Sequence, residues 1–404
     1  MAVKLGNGNW AVKENKLLAY NDNSGRFFNK EFDFSRGSIA TYVGKDGLIK
    51  SAASDVPRID FSDSTNGALL LEGQSTNLIP YSEDFSNSYW TKRGASVTSG
   101  FSSPSGDLSA FKLVEDTSTG EHRFYGYTSI VTGTKHTYSI RVKPNGRDWI
   151  KVSTNASNFV YFNISTGVVG SSSSATGIIK SLNNGWVECS ITFTTTISPE
   201  ALFFNCASSD GSAIYTGDGT SGVYIYGAMI EQNSFATSYI PSLSGSATTR
   251  LADVCNNSGS AQDFNSEEGV LYAEIAALTE QGSYRVISLS DGTLNQRISI
   301  FYDVTDNKIY GQCVNAVTQA FIPFVPTSIS DMNKIAFKWS LNSFALYVNG
   351  VEVGTDNLGT IPVGLDNLSF DSGDGGAPFF GKTKNIQVFT EAKSDEFLAA
   401  LTTI

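Results

Sequence analysis

The sequence predicts an all-β protein: tandem β-sandwiches behind an irregular N-terminal region, closed by one short C-terminal helix. Three observations lead there. Helical periodicity is nearly absent. Apolar and polar residues alternate at period two between clusters of Gly, Asn, Asp and Ser, which is the signature of half-buried strands. The 404 residues include 26 Phe and 17 Tyr, yet only 17% are charged. That apolar content is too high for a disordered chain. It suits stacked sheets whose outer faces carry hydroxyls and amides.

The length fits two or three domains at roughly 100–200 residues each. Residues 1–76 are irregular, with short strands such as Ala68-Leu69-Leu70-Leu71. Residues 77–243 hold about eight strand-like runs, among them Tyr138-Ser139-Ile140-Arg141-Val142. Pro241 to Thr249 is small, polar and turn-rich and reads as a linker, and Ser171 to Ser174 reads as a loop. Residues 244–404 contain a second strand series. Within it, Asn349-Gly350 between two apolar runs predicts a tight hairpin, because both central residues need positive φ. The terminal helix starts at Ser394, which can cap it. Asp395 and Glu396 lie in its first turn, and Phe397, Leu398 and Leu401 form its apolar stripe.

Strand parity gives two registers. A hairpin centred between Ile197 and Ser198 sets Val187, Cys189, Ile191 and Phe193 against Leu202, Phe204 and Cys206, making Cys189 and Cys206 buried cross-strand neighbours. A hairpin centred on Asn155 turns Ile150, Val152, Val160, Phe162 and Ile164 inward. Trp149, Phe159 and Tyr161 then face outward, with Trp149 opposite Tyr161. Together with Tyr125 and Tyr127 they form a candidate sugar-stacking platform. Aromatic residues are also enriched at protein interfaces, so another subunit or domain is the competing occupant.

Composition excludes several functions. With 28 Lys+Arg against 39 Asp+Glu, the net charge is −11, which disfavours nucleic acid and anionic membranes. No apolar run approaches the roughly 18 residues of a membrane span. The start Met1-Ala2-Val3-Lys4-Leu5-Gly6 has no apolar core of a secretion signal. The four cysteines show no metal-ligand spacing, which suits synthesis in a reducing cytoplasm. No nucleophile or phosphate-loop motif is present. The two histidines, His122 and His136, read as exposed turn-edge residues. Glu188 and Glu231 are conceivable carboxylates for glycoside cleavage, but nothing pairs them. No catalytic residue is expected.

The run Phe32-Asp33-Phe34-Ser35-Arg36-Gly37-Ser38-Ile39-Ala40-Thr41-Tyr42-Val43-Gly44-Lys45-Asp46-Gly47-Leu48-Ile49 resembles a signature of bacteriophage structural proteins. So do Val56-Pro57-Arg58-Ile59-Asp60-Phe61, Leu69–Glu72, Ser75–Leu78 and Tyr81–Asn87. In that family the block precedes a carbohydrate-binding-module-like jelly roll, ending in a strand like Tyr224–Glu231 and a segment like Thr237–Pro241. Family members usually carry Gln before that Glu; here Ile230 stands there. Lys334–Trp339, Phe344–Gly350 and Gly381–Phe389 resemble a concanavalin A-like, laminin-G-like lectin sandwich.

The resemblance implies residues 1–76 as a virion-attachment region, 77–243 as the jelly roll and 244–404 as the lectin-like sandwich. Trp10, Phe32 and Phe34 are candidate attachment residues. Such lectin-like folds often hold calcium, with Asp371 and Asp374 as candidate ligands; no other cofactor is implied. The expected protein is a non-enzymatic head or tail fibre or decoration protein, made in the host cytoplasm and carried on the virion. It would form homo-oligomers and contact other virion proteins and bacterial surface glycans. Two alternatives stand beside this: an assembly component whose sandwiches only pack on other subunits, and a capsule depolymerase.

Overall fold

The computed structural model describes residues 3–6, 10–21, 26–155, 158–279, 283–303 and 305–404. The chain forms two compact units. One comprises residues 40–51 and 74–250; the other comprises residues 1–39, 52–73 and 251–404. The architecture is all-β with one short C-terminal helix, as the alternation predicts.

The unit of residues 40–51 and 74–250 contains two six-stranded antiparallel sheets. The first runs in the order Thr91–Arg93, Arg123–Thr128, Glu200–Ala207, Trp149–Thr154, Phe159–Asn163, Val168–Ser173. The second runs Ala95–Phe101, Ala110–Glu115, Gly222–Glu231, Lys135–Asn145, Val187–Thr194, Ala175–Ser181. Alternate residues of both share one core, with Ile150, Val152, Val160, Phe162 and Phe204 from the first and Leu113, Ile140, Ile191 and Ile225 from the second. Trp90 belongs to this core, while Trp186 is buried on the other face of the second sheet.

Three local expectations change here. Cys189 and Cys206 are both buried in that core, but on different sheets: Cys189 pairs with Ile140 and Ile179, Cys206 with Ile150. The chain crosses between sheets after Thr194 instead of folding back as a hairpin, because each of the two strands finds its partners elsewhere. Ser171–Ser173 lies in a strand, and the crossing to the second sheet falls at Ser174, whose φ is 52°. The 241–249 segment is pinned: Ser82 exchanges backbone and side-chain bonds of 2.8 Å with Ser242, and Thr248–Arg250 pairs with Ser75–Asn77. Ser242, fully buried, serves these main-chain groups, while residues 243–247 remain exposed.

In the other unit, a twelve-stranded sheet packs against a five-stranded one. The main path of the larger sheet includes Val254–Asn256, Arg26–Ser35, Lys16–Asn21, Val3–Gly6, Gly381–Phe389, Glu268–Ala277, Asn333–Ser340, Ser343–Val348 and Val351–Asp356. The smaller runs Val317–Phe324, Ile309–Asn315, Gln296–Tyr302, Arg285–Ser290, Asn367–Ser369. Leu271, Phe337, Trp339 and Ile386 face Ile287, Ile298, Ile300 and Ile322 in one core. Gly311 permits close approach of the sheets: a Cβ there would stand 2.4 Å from the Phe337 ring. Asn349 and Gly350 have φ of 52° and 89° between paired Val348 and Val351, as expected. The helix Asp395–Thr402 is capped by Ser394 and buries Leu398 against Tyr272 and Tyr347.

The sequence reading set residues 1–76 apart. Residues 1–39 and 52–73 instead share a unit with the C-terminal segment, with Val3 opposite Val388 and Leu71 opposite Gly381, while residues 40–51 and 74–76 belong to the other unit. Glu268–Ala277 covers one edge of Gly381–Phe389, and Val3–Gly6 and Ala68–Leu71 cover successive stretches of the other, whose main-chain groups would otherwise go unpaired. A buried ionic cluster ties the same segments. Asp253 accepts from Arg36 at 3.0 Å and from Arg58, and Arg58 donates to Glu72 at 2.7 Å. These side chains are essentially inaccessible.

Removing one partner of such a pair strands a buried charge, at a cost of about 3–5 kcal/mol. Asp253→Asn is therefore expected to lower stability by that amount, read from the denaturant midpoint of this unit. The four thiols are free and buried, and burial pushes those of Cys206 and Cys313 up to about 12. The native protein should take up no iodoacetamide, and the unfolded protein four equivalents.

Candidate functional site

The outer face of the first six-stranded sheet follows from its inner face. With Ile150, Val152, Val160, Phe162, Leu202 and Phe204 fully buried, the intervening residues must point away from the core. Two register rows result. In one, Tyr125 lies opposite Phe203, Phe203 opposite Ser153, and Ser153 opposite Phe159. In the next, Arg123 lies opposite Asn205, Asn205 opposite Lys151, and Lys151 opposite Tyr161.

The rings form two groups. Tyr125 stands 5.2 Å from Phe203 and 6.0 Å from Tyr127, while Phe159 stands 5.8 Å from Tyr161. Each group carries a cation. The Arg123 guanidinium sits 4.6 Å from the Phe203 ring and 5.4 Å from Tyr125. The Lys151 ammonium sits 5.1 Å from Phe159 and 5.9 Å from Tyr161. Glu121 pairs with Arg123 at 2.8 Å and accepts from Asn205 Nδ2 at 3.4 Å. Asn205 Oδ1 and Arg123 Nε are buried without a hydrogen-bond partner among the described residues. Burial holds the Lys151 pKa below its ordinary value; Glu121 acts upward and Arg123 downward.

All five residues expected on the platform lie on this face, with one shift of register. Trp149 lies opposite Asn163, and Tyr161 opposite Lys151. The hairpin centre moves by one residue and every partner by two, so parity and the outward set survive. Tyr127 is 55% exposed, whereas Tyr161 is 5% exposed beneath Ala207 and Ala213. Trp149 is half-buried against the same group and lies over Gly170, where a Cβ would fall 2.7 Å from its ring. Phe203, Arg123, Asn205 and Lys151 were not singled out from sequence. The signal was present: if Leu202, Phe204 and Cys206 face in, Phe203 and Asn205 face out.

Other candidates are occupied by structural work. Phe32 is buried 5.4 Å from Phe370, Phe34 packs on the same core, and Trp10 donates to the Lys384 carbonyl at 3.1 Å. Phe32 is thus a core residue and Trp10 and Phe34 are half-buried against that core, because the N-terminal strands join the large sheet. Asp371 accepts from Gly373 N at 2.6 Å, and Asp374 from Ser372 Oγ at 2.6 Å and Gly376 N at 3.0 Å, so both carboxylates brace their own turn. Among the described residues, no group of three or more His, Cys, Asp or Glu has the geometry to hold a metal. Glu188 pairs with Arg141, and fully buried Glu231 accepts from Ser75 and Thr237. A groove of about 490 Å³ lined by residues such as Gln74, Ser129, Val131 and Asn233 contains no titratable side chain.

Neither histidine is exposed. Both ring nitrogens of His122 face main-chain oxygens, of Gly94 at 2.6 Å and Tyr215 at 3.2 Å. His136 is buried, with Nε2 unpartnered, beside Phe193. His122 lies at the junction of the strands Thr119–Glu121 and Arg123–Thr128, and His136 on the strand Lys135–Asn145, where pairing covers the ring.

No protein-family model matches this chain, and no curated protein matches its sequence. Among solved structures, the chain is similar to the CBM40 domain of the Ruminococcus gnavus IT-sialidase, at 17% identity over 36% of this chain and 93% of that chain, with a TM-score of 0.31. It is similar to domain 4 of a GH43 extracellular arabinanase from Geobacillus stearothermophilus, solved with arabinotriose (11% identity, 42% of this chain, 84% of that chain, TM-score 0.31). Domains LG4-5 of the mouse laminin alpha1 chain give 10% identity over 69% of this chain and 89% of that chain, with a TM-score of 0.26.

Burial lowers the pKa of His136. The unfolded chain then binds the proton first, so stability falls as pH drops below about 6.5. His136→Phe should remove that part of the acid sensitivity, seen as a smaller gap between denaturant midpoints at pH 8 and pH 5.

Proposed function

We propose that this chain is a non-enzymatic surface protein of a bacteriophage particle, and that the outer face of its first six-stranded sheet binds glycans of the host surface. One observation carries the binding reading: the sheet presents Tyr125, Tyr127, Phe203 and Phe159 outward around Asn205, Arg123 and Lys151. Flat rings match the apolar faces of sugars, and the cations beside them can hold hydroxyls. Specific sites of this kind combine an apolar surface with a few placed polar groups. The phage assignment is supported by the sequence resemblance over Phe32–Asn87.

Single sites of this open form bind weakly. Display of many copies on one particle raises the effective concentration and converts weak contacts into adhesion. Symmetric self-association is the usual route to such display. The non-enzymatic reading is supported by Glu188 and Glu231, both committed to partners within the fold. The competing assembly role has support of its own in the same aromatic face, which a neighbouring subunit could cover.

The test uses a bacterial glycan array with the full chain and two variants. Phe203→Ala and Tyr127→Ala are each expected to weaken retention roughly tenfold, about 1.4 kcal/mol, without loss of folding. Retention unchanged in both would reject the platform. Burial of Tyr127 against a neighbouring subunit on an intact particle would favour the assembly role.

A further inference from the structure

We infer that the glycan held on this face is anionic, and that a sugar carboxylate sits between Lys151 and Arg123. The inference rests on the platform reading above and names the ligand class. Lys151 carries it. Its ammonium is half-buried over the Phe159 and Tyr161 rings and makes no ion pair or hydrogen bond among the described residues. A charged group shielded from water and left without a counter-ion costs free energy. Most lysines of the chain are spared that cost by an ion pair or by exposure; Lys382, for example, pairs with Asp60 at 3.0 Å. An incoming anion relieves it at Lys151.

Arg123 completes the pair. It occupies the same register row, with only Asn205 between. Glu121 engages Nη1 and Nε is buried, which leaves Nη2 without a hydrogen-bond partner among the described residues. That remaining donor can point a charge-assisted hydrogen bond at a carboxylate oxygen.

The charge count selects the size of the anion. Arg123 and Lys151 bring two positive charges, and Glu121 cancels one. The remaining single charge matches one carboxylate rather than a phosphate dianion. It stands out on a chain whose net charge is −11. The expected ligand is therefore a saccharide carrying a carboxyl group, such as a uronic acid, with its ring faces on Phe203 and Phe159.

The experiment prints glucuronate- and galacturonate-bearing bacterial polysaccharides beside the same polymers after chemical reduction of their carboxyl groups. The wild-type chain should retain a carboxylated form at least tenfold more strongly than its reduced counterpart. Lys151→Met keeps an apolar stem over both rings and removes the charge; it should retain the two forms equally and melt no lower than wild type. Phe203→Ala should weaken both forms together. Equal retention of both forms by the wild type, with Phe203→Ala still weaker, would overturn the anionic ligand and leave the platform standing. Preference for a sulfated or phosphorylated polymer over every carboxylated one would also overturn it. Failure to retain any polymer would remove both.

Discussion

Each paired strand has two faces and no third option. Once Ile150, Val160 and Phe204 enter the core of the inserted unit, Lys151, Tyr161 and Phe203 have to leave it. The rest of the candidate site descends from that constraint. Rings collect on the outer face because the alternation in three neighbouring strands is in phase. The cations lie over rings because both occupy adjacent positions of the same ladder. Hydroxyl-bearing Ser153 fits between Phe203 and Phe159 for the same reason.

What was legible in the sequence was what depends on near neighbours. The Asn349-Gly350 turn, the Ser394 cap and the outward direction of Trp149, Phe159 and Tyr161 all follow from local φ demands or from parity. Partner choice is another matter. Cys189 and Cys206 share a core but not a sheet, since the strand Val187–Thr194 is better served by Lys135–Asn145 and Ala175–Ser181 than by the strand that follows it. The strand Val3–Gly6 finds its partner Gly381–Phe389 some 380 residues away, and no window of sequence reveals that. The histidines were misjudged for a related reason: turn-like neighbours in sequence say little about which strand later covers a side chain.

Charge is scarce in this chain, and some of it lies inside. Arg36, Arg58, Glu72 and Asp253 form one buried cluster. In the other unit, Glu115 accepts from Arg147, Tyr215 and the main chain of Asp218, and Glu231 from Ser75 and Thr237. Each cluster joins residues far apart in sequence. Apolar contacts of equal volume would hold such segments at least as strongly. Ion pairs and directed hydrogen bonds add a requirement of register, because a slipped strand would leave charges without partners.

The interleaved chain path also bears on biosynthesis. Residues 40–51 and 74–250 have all their sheet partners once residue 250 has been made. Val3–Gly6 lies between Gly381–Phe389 and the neighbouring strand Lys16–Asn21. At roughly 5–20 residues per second, the ribosome delivers that last partner about 20–80 s after the first strand emerges. During that interval the inserted unit can complete its fold while the first strands still present open edges. Slow translation or crowding of nascent chains would then act on the N-terminal strands first, and a chaperone that shields strand edges would improve the yield of the discontinuous unit more than that of the inserted one.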